Sequence, residues 1–175
     1  MENIKERIQE IEAVRRIITF RFMSDGEILD LLEIGELLRC GEGEVLIEEG
    51  EISPHFYGIV EGNLSVSVRE AEGKNIYVNS LGPGDVFGEA GIFMKVRRTA
   101  TITALGACVV IRFNRADLIS FIKKHSEAGN KILLVIIYSL LRKLNMVNQE
   151  LAFERKSDMG QDEIDSMVEN LFSDK

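Results

Sequence analysis

Leu81-Gly82-Pro83-Gly84-Asp85-Val86-Phe87-Gly88-Glu89-Ala90-Gly91-Ile92-Phe93, followed by Arg97-Arg98-Thr99-Ala100-Thr101, is the most informative stretch of this 175-residue chain. A Gly/Pro-rich turn delivers the backbone into Phe87-Gly88-Glu89, and the residues after it suit one short helical turn. The first N–H groups of such a turn face outward, and glycine at 88 lets a ligand approach the backbone closely. That arrangement favours an anion. Nine residues beyond Glu89, Arg98 opens a strand-like run and offers a guanidinium fork to a phosphate. A carboxylate beside a phosphate is repelled unless it accepts hydrogen bonds from another group, such as a sugar hydroxyl. Nucleotide binding is the economical reading, with Glu89 on a ribose and Arg98 on the phosphate.

Around this stretch the sequence reads as strands. Twelve of the 15 glycines fall between Gly35 and Gly106. Leu64, Val66 and Val68 alternate with Ser65, Ser67 and Arg69, the period of a half-buried strand. Val45–Ile47, Phe56–Val60, Ile76–Leu81, Thr99–Ala104 and Cys108–Arg112 are similar runs, with turns at Glu61-Gly62-Asn63 and Glu70–Lys74. So many short strands predict a β-barrel or roll. Farther out the period becomes helical. Ile4, Ile8, Ile11, Val14 and Ile18 form one stripe, and Ile28, Leu31, Leu32 and Leu37 another. Asn114 is placed to cap a helix with Asp117 at its third position and Leu118, Phe121 and Ile122 inward.

A long helix is expected from about Glu127 to Arg155. Leu133, Ile137, Leu140, Leu144, Val147 and Leu151 recur at alternating steps of four and three, a heptad seam. A helix packed on its own roll needs one apolar face, but Leu134, Ile136 and Leu141 add more. Coverage on two sides, by its own domain and by a second copy, accounts for both, which predicts a homodimer through residues 127–151. The longest apolar run, Ile132–Leu141, is short for a bilayer span and reads as a buried helix.

Charge and composition exclude several classes. The formal net charge is −8, which argues against a general nucleic-acid or anionic-membrane surface. Most of the acidity lies in residues 157–175, where six acids face one base. Within that tail Ile164, Met167, Val168, Leu171 and Phe172 recur at helical spacing, against the alternative of a frayed, solvated terminus. Cys40 and Cys108 stand 68 residues apart without a CxxC, so no disulfide framework, metal site or iron–sulfur cluster is indicated. They read as buried small hydrophobes. His55 and His125 read as solvated, in a loop and near a helix end, and no nucleophile–base constellation emerges. The chain is therefore read as no enzyme. The first ten residues, MENIKERIQE, lack the apolar centre of a signal peptide, so the expected location is cytoplasmic, away from membranes.

Phe87-Gly88-Glu89, the nine-residue step to Arg98, and Arg98-Thr99-Ala100-Thr101 resemble the phosphate-binding cassette of cyclic nucleotide-binding domains. That family includes catabolite activator proteins, protein kinase regulatory subunits and cyclic-nucleotide-gated channels. Gly41-Glu42-Gly43-Glu44-Val45-Leu46-Ile47-Glu48-Glu49-Gly50-Glu51 resembles the family's opening strands, and Gly62 and Gly73 match its paired turn glycines. The likeness extends over roughly residues 20–155.

The resemblance implies an α+β fold: a double-stranded β-helix (a jelly-roll-like β-roll) flanked by N-terminal helices and a long C-terminal dimerisation helix. Its divisions are a helical lead-in at 1–37, the roll at 38–113 with the cassette at 81–101, C-terminal helices at 114–156 and the acidic tail at 157–175. Carried over by position, Gly88, Glu89 and Ala90 hold the ribose 2′-hydroxyl and cyclic phosphate. Arg98 pairs with a phosphate oxygen, and Thr99 lies beside phosphate and base. Val66, Val78 and Phe87 match apolar positions around ribose and purine, and Asn148, with Asn145 the alternative, lies near the purine. Where the family often has proline, this chain has Arg97, a second cation that could compete; the spacing favours Arg98. Thr99 is compatible with either purine, and the lean is to cyclic AMP over cyclic GMP. Glu89 and Arg98 have little expected structural use, so their presence speaks for a working pocket. Only the acidic tail follows the long helix, where catabolite activators place a helix-turn-helix. The expectation is a stand-alone regulatory sensor that signals by allostery through a protein partner, not DNA. The alternative is a ligand-independent interaction scaffold on the same fold.

Overall fold

A computed structural model describes residues 11–149, except 18, 19, 71–73, 95, 142 and 146, together with residue 152. The chain divides into two compact units, Met1–Ile136 and Ile137–Lys175. The first unit carries two four-stranded antiparallel sheets. One has the order β1 (Gly35–Cys40), β8 (Cys108–Asn114), β3 (His55–Glu61), β6 (Val86–Phe87). The other has the order β2 (Val45–Ile47), β7 (Thr101–Ala104), β4 (Leu64–Arg69), β5 (Asn75–Leu81). Helices α1 (Asp25–Leu32), α2 (Ala90–Phe93) and α3 (Arg115–Lys124) complete its compact elements, and α4 runs from Ser126 to Gln149.

Strand β3 shows why the roll forms. Phe56 to Val60 are buried without interruption, because both faces of their sheet are covered. Phe56 and Val60 join Ile111 and Phe113 of β8 in a cluster with the helices, where Ile28, Leu31, Leu118, Phe121, Ala128, Ile132 and Ile136 meet them. Tyr57 and Ile59, of opposite parity, join Ile47, Leu64, Leu81, Phe87, Ile102 and Val110 in a second cluster that unites residues of both sheets. Each fully buried Phe or Ile contributes about 2–3 kcal/mol through removal from water. Gly58 lets Ile17 pack closely on β3: a Cβ there would lie 2.8 Å from Ile17 Cδ1, so a larger residue would push the Ile17 side chain aside.

Several expectations are revised. Gly35 starts β1, so Leu37 belongs to a strand, is exposed, and does not extend the α1 stripe. The N-terminal stripe continues through buried Val14, within a helical stretch at residues 11–15, and buried Ile17 just after it, while Ile4, Ile8 and Ile18 lie outside the described residues. Ile132–Leu141 is not a buried helix: Ile132 and Ile136 are buried, but Leu134, Ile137, Tyr138, Leu140 and Leu141 are exposed. By length and composition, the 24-residue α4 is long and apolar enough to cross a membrane, unlike the shorter run read from the sequence. Its first turns nevertheless pack Ala128, Ile132 and Ile136 into the helix-side core. On β4 and β5, Val66 pairs with Asn79 and Ser67 with Tyr77, so Val78 is the extra residue of a bulge. Leu151, Gly73 and the tail at 157–175 lie outside the described residues.

Glu27 joins the two ends of this unit. Ser24 caps α1 in a reciprocal box, its N–H donating to Glu27 Oε2 at 2.7 Å and its hydroxyl accepting from the Glu27 N–H at 3.3 Å. Lys131 of α4 donates to both Glu27 oxygens, at 3.3 and 3.2 Å. The Ser24 N–H, aided by Lys131, holds the Glu27 carboxyl below its ordinary value. A carboxyl depressed in the fold stabilises above its unfolded value and loses that effect as pH falls through the folded one. Glu27→Gln should therefore cost about 1 kcal/mol at pH 7, a difference that fades as pH falls through the lowered value of the folded carboxyl. Urea unfolding of both proteins across pH 3–7 measures it.

Candidate functional site

The candidate site is built where β6 ends. Val86 and Phe87 pair with Gly58 and Tyr57 of β3, fixing the strand that delivers Gly88. Phe87 turns into the inter-sheet cluster and stacks on Tyr57 at 4.8 Å between ring centroids, nearly parallel. Gly88 has φ +79°, and a Cβ there would lie 2.8 Å from the His55 carbonyl and 3.1 Å from Arg98 Nη1. Only glycine suits both demands. The chain then enters α2, four residues closed by Gly91 N–H to Gly88 carbonyl at 3.0 Å and Ile92 N–H to Glu89 carbonyl at 3.0 Å.

Glu89 and Arg98 are the buried charged residues among those described, at 6% and 8% exposure. Arg98 Nη1 donates to the Gly88 carbonyl at 3.1 Å, and Nη2 to the carbonyls of Ser53 at 2.9 Å and His55 at 2.6 Å. Its Nε is buried without a hydrogen-bond partner among the described residues. Burial pulls the guanidinium below its ordinary pKa, opposed by Tyr57, Glu51 and Glu89. Three carbonyl dipoles and a nearby carboxylate thus hold a buried cation with a donor to spare, a site suited to an anion. Its main chain is fixed as well: Arg98 N–H donates to the Glu51 carbonyl at 2.8 Å, and its carbonyl accepts from Gly50 N–H at 2.9 Å.

This arrangement changes the argument from the sequence. Arg98 has a structural use after all, since it ties the cassette turn to the segment before β3. Arg97 does not share the site. It is exposed and donates to the Gly50 carbonyl at 2.9 Å, because neighbouring residues of an extended segment face opposite ways. Gly88, Glu89, Ala90, Arg98 and Phe87 are brought together, with Thr99 exposed beside Arg98 and Val66 packed at the margin of the inter-sheet cluster. Val78 is not drawn in; it is 54% exposed on the bulge and outside both clusters. Asn145 and Asn148 are exposed residues of the second unit.

His55 begins β3 rather than lying in a loop, and its Nδ1 is 3.0 Å from Ser53 Oγ. Burial, with Arg112 and Arg98 nearby, lowers its pKa. The sequence reading missed the parts played by Ser53 and His55, which act through main-chain carbonyls and leave no side-chain signature. It also missed Arg115, whose Nε donates to the Ile92 carbonyl at 2.6 Å and ties α2 to the start of α3. Asn114 caps α3 as expected, its Oδ1 accepting from Ala116 N–H at 2.9 Å.

A family profile described as cyclic nucleotide-binding domain matches residues 37–125. The cAMP-dependent protein kinase regulatory subunit of Dictyostelium discoideum is 29% identical over 142 residues, covering 75% of this chain and 43% of that protein. The CRP-like cAMP-activated global transcriptional regulator of Mycobacterium tuberculosis is 30% identical over 110 residues, covering 63% of this chain and 47% of that protein. This chain thus spans less than half the length of either relative. A cyclic nucleotide-binding domain from Methylobacillus flagellatus superposes with a TM-score of 0.70 at 20% identity, covering 81% of this chain and 79% of that one.

The Gly88 geometry is directly testable. Gly88→Ala should destabilise the protein by about 2 kcal/mol or more, through the left-handed backbone and the His55 carbonyl. Gly106→Ala, where a Cβ meets nothing within 4 Å, should leave stability unchanged in the same thermal melts.

Proposed function

Because this chain belongs to the cyclic nucleotide-binding domain family, a family of regulatory rather than catalytic domains, we propose that it senses cyclic AMP in preference to cyclic GMP and signals through a protein partner. The observation that carries the reading is the buried Arg98 guanidinium beside Gly88 and the buried Glu89. Arg98 pairs with the cyclic phosphate, and Glu89 accepts from the ribose 2′-hydroxyl. Gly88 and Ala90 bring the backbone against the ligand, while Phe87 and Val66 support the sugar side and Thr99 the base. The preference for the adenine nucleotide rests on the names of the kinase subunit and the transcriptional regulator, both of which refer to cAMP. The net charge of −8 favours a protein partner over nucleic acid.

Signal output follows from the way the cassette is attached. Ile92 of α2 shares the helix-side core with Leu118, Phe121 and Ile132, and Arg115 grips the Ile92 carbonyl. A nucleotide that orders the cassette therefore biases α3 and the start of α4, a population shift typically worth about 1–3 kcal/mol. On α4 the exposed Ile137, Leu140, Leu144 and Val147 continue the heptad seam, which supports pairing with a second copy.

A second reading has its own observation. The three carbonyl bonds give Arg98 a use without nucleotide, as expected of a ligand-independent scaffold. Melting temperatures with each nucleotide separate the two. A binder gains about 2.7 kcal/mol at a hundred times its dissociation constant, whereas a scaffold gains nothing. By calorimetry, Arg98→Ala should weaken cyclic AMP binding at least about tenfold, since its charged hydrogen bonds are worth about 1.5–3 kcal/mol. Circular dichroism verifies that the variant is folded, and unchanged affinity would reject the assignment. For the output, nucleotide should slow hydrogen exchange across Glu127–Gln149 in the parent. Leu144→Asp should be monomeric by light scattering and lose the part of that protection that depends on pairing.

A further inference from the structure

Cys40 closes β1 and Cys108 opens β8, and the two are Cα partners in the antiparallel ladder. Residues directly opposite in such a ladder have Cα atoms about 4.5 or 5.5 Å apart and side chains on the same face. A disulfide accepts Cα separations of about 4.4–6.8 Å and Cβ separations of about 3.5–4.5 Å, so facing residues lie within its Cα range and the closer, non-hydrogen-bonded kind of pair reaches its Cβ range. Both thiols are free and belong to the same inter-sheet cluster, at 7% and 3% exposure. Sixty-eight residues apart in sequence, they form a facing pair in the fold.

We infer that Cys40 and Cys108 are an oxidative modification site, closing to an intramolecular cross-strand disulfide when the protein meets a peroxide. The Cys40 thiolate attacks one peroxide oxygen, the O–O bond breaks, and the leaving hydroxide takes a proton to become water. Cys40 is now a sulfenic acid. The Cys108 sulfur attacks the Cys40 sulfur, forming the S–S bond and breaking the S–O bond, and the departing oxygen leaves as a second water with the remaining thiol proton. Two thiols are oxidised and one peroxide is reduced to two waters. Cys40 takes the first step because it is the more exposed and adjoins the turn at Gly41. Cys108 is sheltered by Gly62, where a Cβ would lie 2.6 Å from the Cys108 Cβ. Burial, with the Cys108 thiol alongside, pushes the Cys40 thiol up to about 11, so alkaline pH favours the thiolate that starts the reaction.

The bond would join edge strand β1 covalently to β8, the strand that also pairs with β3. The test is to incubate the full chain with hydrogen peroxide at mildly alkaline pH, alkylate without reductant and measure intact mass. The expected product is a monomer about 2 Da lighter than the reduced chain and carrying no alkyl group. Trypsin should release Cys40–Arg69 joined to Thr99–Arg112, and dithiothreitol should separate them. The oxidised protein should melt about 5–10 °C above the reduced one. Cys40→Ser and Cys108→Ser should each abolish the linked peptide; Cys40→Ala and Cys108→Ala serve if a hydroxyl in the core impairs folding. Free thiols after prolonged peroxide, a disulfide between two copies, or sulfinic acid at either cysteine would overturn the proposal.

Discussion

The fold depends on a strand that must be buried on both faces. From Phe56 to Val60 every side chain of β3 is out of water, so the chain has to supply helices on one side and a second sheet on the other. The N-terminal residues, α1, α3 and the first turns of α4 meet the first demand, and β2, β7, β4 and β5 meet the second. The same strand pairs with β6 and presents the His55 carbonyl to Arg98. Core and candidate site therefore share one element, and a shift of β3 by a single residue would exchange its two faces and misplace the site at once.

Much of this was legible in the sequence, for definite reasons. Leu64 and Val66 alternate with Ser65 and Ser67 because the apolar pair packs in the inter-sheet cluster, and Asn114 announces α3 because a cap is a local hydrogen bond. The cassette was visible because Gly88 and Arg98 must be those residue types at that separation. Strand β1 was not visible: it is an edge strand that carries Glu36 and Arg39 and exposes half of its residues, and Leu37 fits the preceding helical period by accident. The Ser53 and His55 contacts were hidden because a carbonyl oxygen is common to every residue. The cross-strand relation of Cys40 and Cys108 needs the register of a ladder that joins distant parts of the chain.

Arg98, the residue proposed to pair with the phosphate, is in any case a scaffold residue. Its terminal nitrogens draw together Gly88, Ser53 and His55, while its main-chain N–H donates to the Glu51 carbonyl and its carbonyl accepts from the Gly50 N–H. A buried cation is costly unless dipoles surround it. Here those dipoles come from backbone segments whose positions are set by β3 and β6, so the site is organised by strand pairing before any ligand arrives.

The bulge at Val78 bears on solubility. Strand β5 ends its sheet and carries Ile76, Tyr77 and Val78 in succession, all exposed. A straight edge with that composition is a template on which another chain can polymerise. The extra residue breaks the two-residue period, and Asn79 Oδ1 takes the following Ser80 N–H at 2.7 Å. A foreign strand that pairs with Ile76 and Tyr77 thus meets a shifted register and an occupied donor a few residues on, and the sheet stops growing there.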